Sequence, residues 1–196
     1  DVLALCDTNG GCLPDEISDI TSKVCDKFPN VRIGIHCHND TGCAVANSMA
    51  AVAAGAVHVQ GTFIGFGERC GNADLSTIIA NLTLKCGCDL GIDLSSLKIT
   101  ARKIAEIANI RLKSNHPYVG KSAFAHKGGM HIDGVQKCSK SFEHVPPESV
   151  GNERKFLLSE VAGRGTVLPK IQRFAPEIGK KSPETTAITN ALKARE

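Results

Sequence analysis

The stretch His36-Cys37-His38-Asn39-Asp40-Thr41-Gly42 decides how this chain is read. Before it comes Val31-Arg32-Ile33-Gly34-Ile35, whose Val and Ile alternate with Arg and Gly and predict a buried strand. After it, Cys43 to Ala56 is Ala-rich and free of Pro, and predicts a helix. Residues two apart on a strand face the same side, so His36 and His38 aim at one point and Cys37 turns away. Two neutral imidazoles converging in this way make half of a metal site. The C-terminal ends of strands are where α/β proteins place their chemistry. Two unrelated histidines at a strand end are the competing reading of a bare His-x-His, and the rest of the chain decides between the two.

The flanking segments repeat one rhythm. Val2 to Cys6 reads as a buried strand and Asp7 to Gly11 as the turn after it. Pro14-Asp15-Glu16 opens a helix, since Pro suits the first turn and acids complement the helix dipole. That helix runs to about Phe28, with Ile17, Ile20, Val24 and Phe28 on one face. Val57 to Thr62 is a third strand, on which His58 alternates with valines as a structural histidine. The order β-α-β-α-β predicts a parallel sheet. Further helices are expected over Leu75 to Leu84, Leu94 to Leu112, Thr166 to Phe174 and Glu184 to Glu196, with a short strand or helix at Lys155 to Ser159 and a break at Gly163-Arg164-Gly165.

Composition narrows the function classes. The 196 residues carry a net charge of only +3, with Lys and Arg scattered and no basic stripe interleaved with aromatics, which argues against nucleic-acid binding. No apolar run approaches the ~20 residues that cross a bilayer. The nine cysteines form no Cys-x-x-Cys pair, and Cys86-Gly-Cys88 has no second pair to answer it, so a zinc knuckle is not expected. They read as reduced, mostly buried thiols in a cytoplasmic setting. The chain opens inside a strand pattern without Met, and is expected to be a piece of a longer protein.

Two polar segments remain. Gly61 to Asn72 sets Gly65 and Gly67 beside Glu68, Arg69 and Asn72, an acid, a base and an amide near the same strand ends as the histidines. Glycines there let backbone N–H groups approach a ligand, although the loop matches neither the phosphate-binding nor the dinucleotide-binding fingerprint. Farther on, His126, His131 and Asp133 surround a Gly-Gly pair, either as a second polar cluster or as a loop joining two helices.

Together these motifs resemble a known family. His36-x-His38-Asn39-Asp40-x-Gly42 with its Ala-rich helix is similar to the barrel motif of the 2-isopropylmalate, homocitrate and citramalate synthases, metal-dependent TIM-barrel acyltransferases. Gly61-Thr62 and Gly65-x-Gly67-Glu68-Arg69-x-Gly71-Asn72 resemble the family's next signature, and His126-x-x-Gly129-x-His131-x-Asp133-Gly134-Val135 the motif after the barrel. Residues 142–154 and Ser159-Glu160-x-x-Gly163-Arg164 look most like the citramalate-synthase branch. The resemblance implies an α/β fold. Residues 1–88 would be the C-terminal portion of a (β/α)8 barrel, 89–175 a helical linker and small subdomain, and 176–196 a polar helix leading on. The family's first-strand Asp, its Arg-Asp motif and its regulatory C-terminal domain lie outside these residues. Ile64 and Phe142 depart from the Asn and Tyr that many members carry at those positions.

The implied reaction joins the methyl carbon of acetyl-CoA to the keto carbon of a 2-oxo acid, then hydrolyses the thioester. Pyruvate, giving citramalate, is the expected 2-oxo acid, with 2-oxoisovalerate as the rival. A divalent ion (Mg²⁺, Mn²⁺ or Zn²⁺) would sit on His36 and His38, with Asn72 beside it or in its outer shell. His131 suits acid–base work, as an imidazole that titrates near neutrality, and Glu68 is the second candidate catalytic group. Arg69, Gly65, Gly67 and Thr62 are candidate substrate contacts, and Glu68 with Arg69 can instead form a pair that fixes the loop. A homodimer in which His131 reaches a neighbouring barrel is expected. Two other classes stay open: a non-catalytic binding module, and an aldolase or lyase of the same superfamily.

Overall fold

The computed structural model describes residues 1–157 and 163–193. Its sheet holds three parallel strands in chain order: β1 (Val2–Asp7), β2 (Arg32–Cys37) and β3 (His58–Gln60). The helices α1 (Pro14–Lys27) and α2 (Ala44–Ala53) make the crossovers, and α3 (Leu75–Leu84) follows β3. The register sets Cys6 opposite His36 and His36 opposite Gln60, so all three strands end at one level. The expected β-α-β-α-β order is therefore present, and it is the repeating unit of a TIM-type barrel. No described helix is long and apolar enough to cross a membrane.

Small side chains bring α2 close to the sheet. Ala44, Asn47, Ser48 and Ala51 are fully buried, and Ala44 and Ala51 pack with Ile35, Cys37 and Ile78 in one core. Asn47 donates to the Cys12 carbonyl at 2.9 Å, tying α2 to the loop after β1. The sequence reading overstated burial elsewhere. Strand β1 pairs on one side only, and Leu3 stays 45% exposed on what had read as a buried strand. On α1 the inward residues are Ile17 and Thr21, while Ile20 and Phe28 are exposed, because the helix meets its neighbours along the i, i+4 row through Ile17. The cysteines are free, but only Cys37 is buried, and Cys6, Cys70, Cys86 and Cys138 are exposed at an open strand face, a loop, a turn and a helix end.

The second half begins with α4 (Leu97–Ile107), shorter than the helix expected to Leu112. Asn109 takes a left-handed φ of 51° and ends it. Leu97 and Ala101 pack with Tyr118, Val119, Phe124 and Val150 in a second core. Two short parallel strands follow, β4 (Ala125–His126) and β5 (Lys155–Phe156), so the segment expected at Lys155 to Ser159 is a strand over its first two residues. Ser159 and Glu160 lie outside the described residues. Between the strands, Gly129–Lys137 forms the helix α5 rather than a loop. Gly163 caps α6 (Arg164–Ile171) instead of breaking it, and α7 (Pro183–Lys193) packs on α6. The last three residues of the helix expected to reach Glu196 are outside the described range.

A triad built on the buried Glu143 carboxylate ties parts of this half together. His126 meets Glu143 Oε1 at 2.9 Å, and Arg154 grips both oxygens of Glu143 at 2.7 and 2.5 Å. The Glu143 side chain is 2% exposed, so its charge depends on these partners. Arg154's hydrogen bonds hold the Glu143 carboxyl below its ordinary 4.5, against the upward push of burial. A folded value below the unfolded one stabilises above about pH 4.5 and fades as pH falls through the depressed value. Glu143→Gln is expected to cost about 3 kcal/mol at neutral pH. Chemical denaturation from pH 7 down to 3 should show the gap to wild type closing below about pH 4.5; a gap independent of pH would contradict this account of the triad.

Candidate metal centre at the strand ends

His36 and His38 leave the end of β2 on the same side, as their spacing requires. Their Nε2 atoms lie 3.3 Å apart with the rings edge to face. Two nitrogens each about 2.1 Å from one ion stand roughly 3.0–3.4 Å apart at right-angled to tetrahedral ligand angles, so the pair fits a shared ion. The same distance lets one ring donate its N–H to the other. Burial, then the neighbouring His38, lowers the pKa of His36, which favours the neutral form a metal needs.

Every other residue of the motif has a structural task. Asn39 donates its N–H to the Gly71 carbonyl at 2.9 Å, and its side-chain oxygen accepts from Ala44 N–H at 3.1 Å at the start of α2. Asp40 takes a two-point grip from Arg69, Nε to Oδ1 at 2.9 Å and Nη2 to Oδ2 at 3.0 Å. Arg69 Nη2 also donates to the Thr8 carbonyl at 2.9 Å, so one guanidinium joins the loops after all three strands. This pairing pulls the Asp40 carboxyl below the usual carboxylate range. The Glu68–Arg69 pair weighed in the sequence is thus replaced by Asp40–Arg69, and Glu68 stands exposed without an ion-pair partner among the described residues. Arg69 holds a φ of 55°, a strained backbone that its fixed side chain helps to maintain.

The glycine-rich loop folds back to bring Asn72 beside His38. A Cβ at Gly67 would lie 2.1 Å from the Asn72 amide nitrogen, and one at Gly71, whose φ is 92°, only 2.0 Å from the Gly65 carbonyl. Asn72 Nδ2 donates to Phe66 O at 3.2 Å, and Oδ1 is buried without a partner among the described residues. The loop uses Thr62 and Gly65 internally: the Thr62 hydroxyl donates to Phe66 O at 2.5 Å, and Gly65 N–H to Thr62 O at 3.1 Å. Asp74 caps α3 and accepts from Ser76 Oγ, Thr77 Oγ1 and His116 Nε2. Burial pushes its carboxyl up, but these hydrogen bonds outweigh burial and hold it below the usual range.

The sequence reading named Asp7 and Asp40 but gave neither a role. Asp7 ends β1, is 6% exposed, and has Oδ2 buried without a partner among the described residues. It lines a cavity of about 770 Å³ with Thr8, Cys12, Asp40 and Arg69. The signal for it was an acid closing a strand that pairs with the histidine strand. No group of three or more His, Cys, Asp or Glu able to hold a metal forms among the described residues, and His36, His38 and the Asn72 oxygen remain as candidate ligands. His131 is not brought to them. It lies exposed on the first turn of α5, its ring 4.5 Å from the Phe142 ring, which in turn packs over Gly134.

Residues 1–104, more than half of the chain, match the HMGL-like family model. The chain belongs to the HMGL-like family. Residues 118–195 also match the homocitrate synthase post-HMGL domain-like model, so the two matches cover the strand-end site and His131 respectively. The chain is 50% identical over its whole length to the (R)-citramalate synthase of Aquifex aeolicus, covering 38% of that protein. It is 48% identical over 97% of its length to the (R)-citramalate synthase of Synechocystis, covering 37% of it, and 44% identical over its whole length to that of Sulfolobus acidocaldarius, covering 38%. The chain thus spans little more than a third of the length of these relatives. Among solved structures, HMG-CoA lyase of Bacillus subtilis matches with a TM-score of 0.50 and 26% identity, over 56% of this chain and 39% of that one. HMGL-like membership agrees with the parallel strand–helix repeat of residues 1–84.

Arg69→Lys keeps the charge but loses the planar fork that reaches Asp40 and Thr8 together. In the complete protein this variant is expected to bind Mn²⁺ about tenfold more weakly, the scale of a lost outer-shell partner. Calorimetry reads the affinity directly, and an unchanged value would show that the pair does not support the histidines.

Proposed function

We propose that the complete protein condenses acetyl-CoA with pyruvate to give citramalate and free CoA. The observation that carries the proposal is the match to (R)-citramalate synthases at 44–50% identity along essentially the whole chain. Arrangement of the strand-end site supports it. His36 and His38 would hold a divalent ion, with the Asn72 side-chain oxygen beside it. Bound there, the ion supplies Lewis-acid polarisation of the 2-oxo acid; Mg²⁺, Mn²⁺ and Zn²⁺ all suit imidazole and oxygen ligands. Arg69, fixed by Asp40, holds the loop that carries Gly65, Gly67, Glu68 and Thr62 next to the substrate. A base takes a proton from the acetyl methyl group, the methyl carbon bonds to the keto carbon, and the new alkoxide is protonated. Water then cleaves the thioester, releasing CoA thiol. His131 is the acid–base group we assign to this proton traffic, with Glu68 as the second candidate.

We further infer a homodimer. Within one chain His131 lies on α5, which packs on α6 rather than on the sheet, and a second copy would supply it to the strand-end site. One observation favours a rival substrate: the chain is 38% identical over 172 residues to a probable 2-isopropylmalate synthase of Methanopyrus kandleri. That identity is lower than the 44–50% shared with the three citramalate synthases above. The lyase reading has less support, because the lyase likeness covers 56% of the chain, while residues 118–195 match a homocitrate synthase-type domain.

Thiol release with each acid tests both readings. The complete protein should prefer pyruvate, and a clear preference for 2-oxoisovalerate would make it an isopropylmalate synthase. In the same assay, His131→Ala and His38→Ala subunits mixed and reassembled should regain part of the activity that each lacks alone. No recovery after demonstrated subunit exchange would contradict the shared site.

A further inference from the structure

A second concave site lies away from the histidines, between α4 and β5. Its cavity of about 460 Å³ is lined by Lys98, Arg102, Lys121 and Lys155, with Glu153 as the one carboxylate. Glu153 is already engaged by Lys155 at 2.9 Å. Arg102 reaches only Glu106, at 3.7 Å, across an exposed turn of α4. Lys98 and Lys121 have no carboxylate within ion-pair distance among the described residues. Four cations scattered over nearly 60 positions of sequence thus meet in one cleft, with a surplus of three charges among the described residues.

Lys98 is set in place rather than left to swing. Its Nζ donates to Asn152 Oδ1 at 2.9 Å. Asn152 is 6% exposed, and its Nδ2 donates to the carbonyls of Tyr118 at 2.8 Å and Gly120 at 3.0 Å. The same Oδ1 accepts from Glu153 N–H at 2.9 Å, so the amide cannot turn. A neutral acceptor therefore orients the ammonium without cancelling its charge, and leaves further N–H donors for a ligand. Partial burial first, and then the charge of Lys155, lowers the Lys98 pKa, so the ammonium is partly stripped of water and stands beside a like charge. An anion in the cleft relieves that repulsion, and a concave basic site concentrates anions from solution.

We propose that this cleft binds a small anion carrying two or more phosphate charges. An Arg fork and three ammonium groups match several phosphate oxygens at once, more than one carboxylate offers. Among the described residues no aromatic ring lines the cleft to stack a base, and the proposal rests on the phosphates. Such phosphates can come from a coenzyme A thioester or from a free nucleotide. The site itself does not depend on the condensation reaction.

Inorganic pyrophosphate titrated into the complete protein by calorimetry tests the proposal without turnover. Saturable binding is expected, weakened at least tenfold in Arg102→Gln/Lys121→Gln and by added salt. Both substituted side chains are exposed, and a melt identical to wild type checks that the variant is folded. As a second variant, Lys98→Gln should also weaken binding. Absence of saturable binding, or equal affinity in the folded double variant, would overturn the proposal. The source is decided by competition: displacement by CoA, with a raised KM for acetyl-CoA in the double variant, identifies the coenzyme, and displacement by ADP with an unchanged KM identifies a separate nucleotide. Either result upholds the site.

Discussion

The parallel register of β1, β2 and β3 is the constraint on which the rest depends. Because Cys6, His36 and Gln60 lie level, the loops after the three strands leave the sheet side by side. Only then can one guanidinium, that of Arg69, reach both Asp40 and the Thr8 carbonyl. A one-residue slip in β2 would send both imidazoles to the opposite face and Cys37 to theirs. The core opposes such a slip, since Ile33, Ile35 and Cys37 are each 0–1% exposed. Burial of one apolar row thereby fixes where two polar rings point.

What was legible in the sequence follows from local rules. The strand–helix rhythm, the common aim of His36 and His38 and the extent of α3 depend on residues a few positions apart, and the structure has them. Burial of β1 was misread because an apolar strand pattern does not say how many neighbours the strand has. Reading α5 as a loop followed from Gly128, Gly129 and Gly134, which weaken a helix pattern; Gly134 is instead required by the Phe142 ring, which a Cβ would meet at 2.3 Å. The partner of Arg69 lies 29 residues away, and nothing local separates Asp40 from the adjacent Glu68 as its mate. The same blindness to distance hid the basic cleft, because charges that look scattered in the chain are gathered by α4 and β5.

The two halves solve a shared problem by different means. At the strand ends, polar groups are laced by backbone and side-chain bonds across loops and remain partly open, with Asn72 Oδ1 and Asp7 Oδ2 lacking partners among the described residues. Such unsatisfied atoms cost stability in a folded chain and are retained where a ligand can complete them. In the second half the Glu143 carboxylate is fully engaged by His126 and Arg154, and the segment bearing His131 and Phe142 runs between β4 and that carboxylate. A satisfied network there gives a firm base to an exposed imidazole.

The central claim is that His36 and His38 converge on one divalent ion. Anomalous scattering from a crystal of the complete protein grown with Mn²⁺ tests it most directly. The account predicts one strong peak within about 2.0–2.3 Å of both Nε2 atoms, on the side of the Asn72 oxygen. A peak elsewhere, or none with the two rings still hydrogen-bonded to each other, would contradict it.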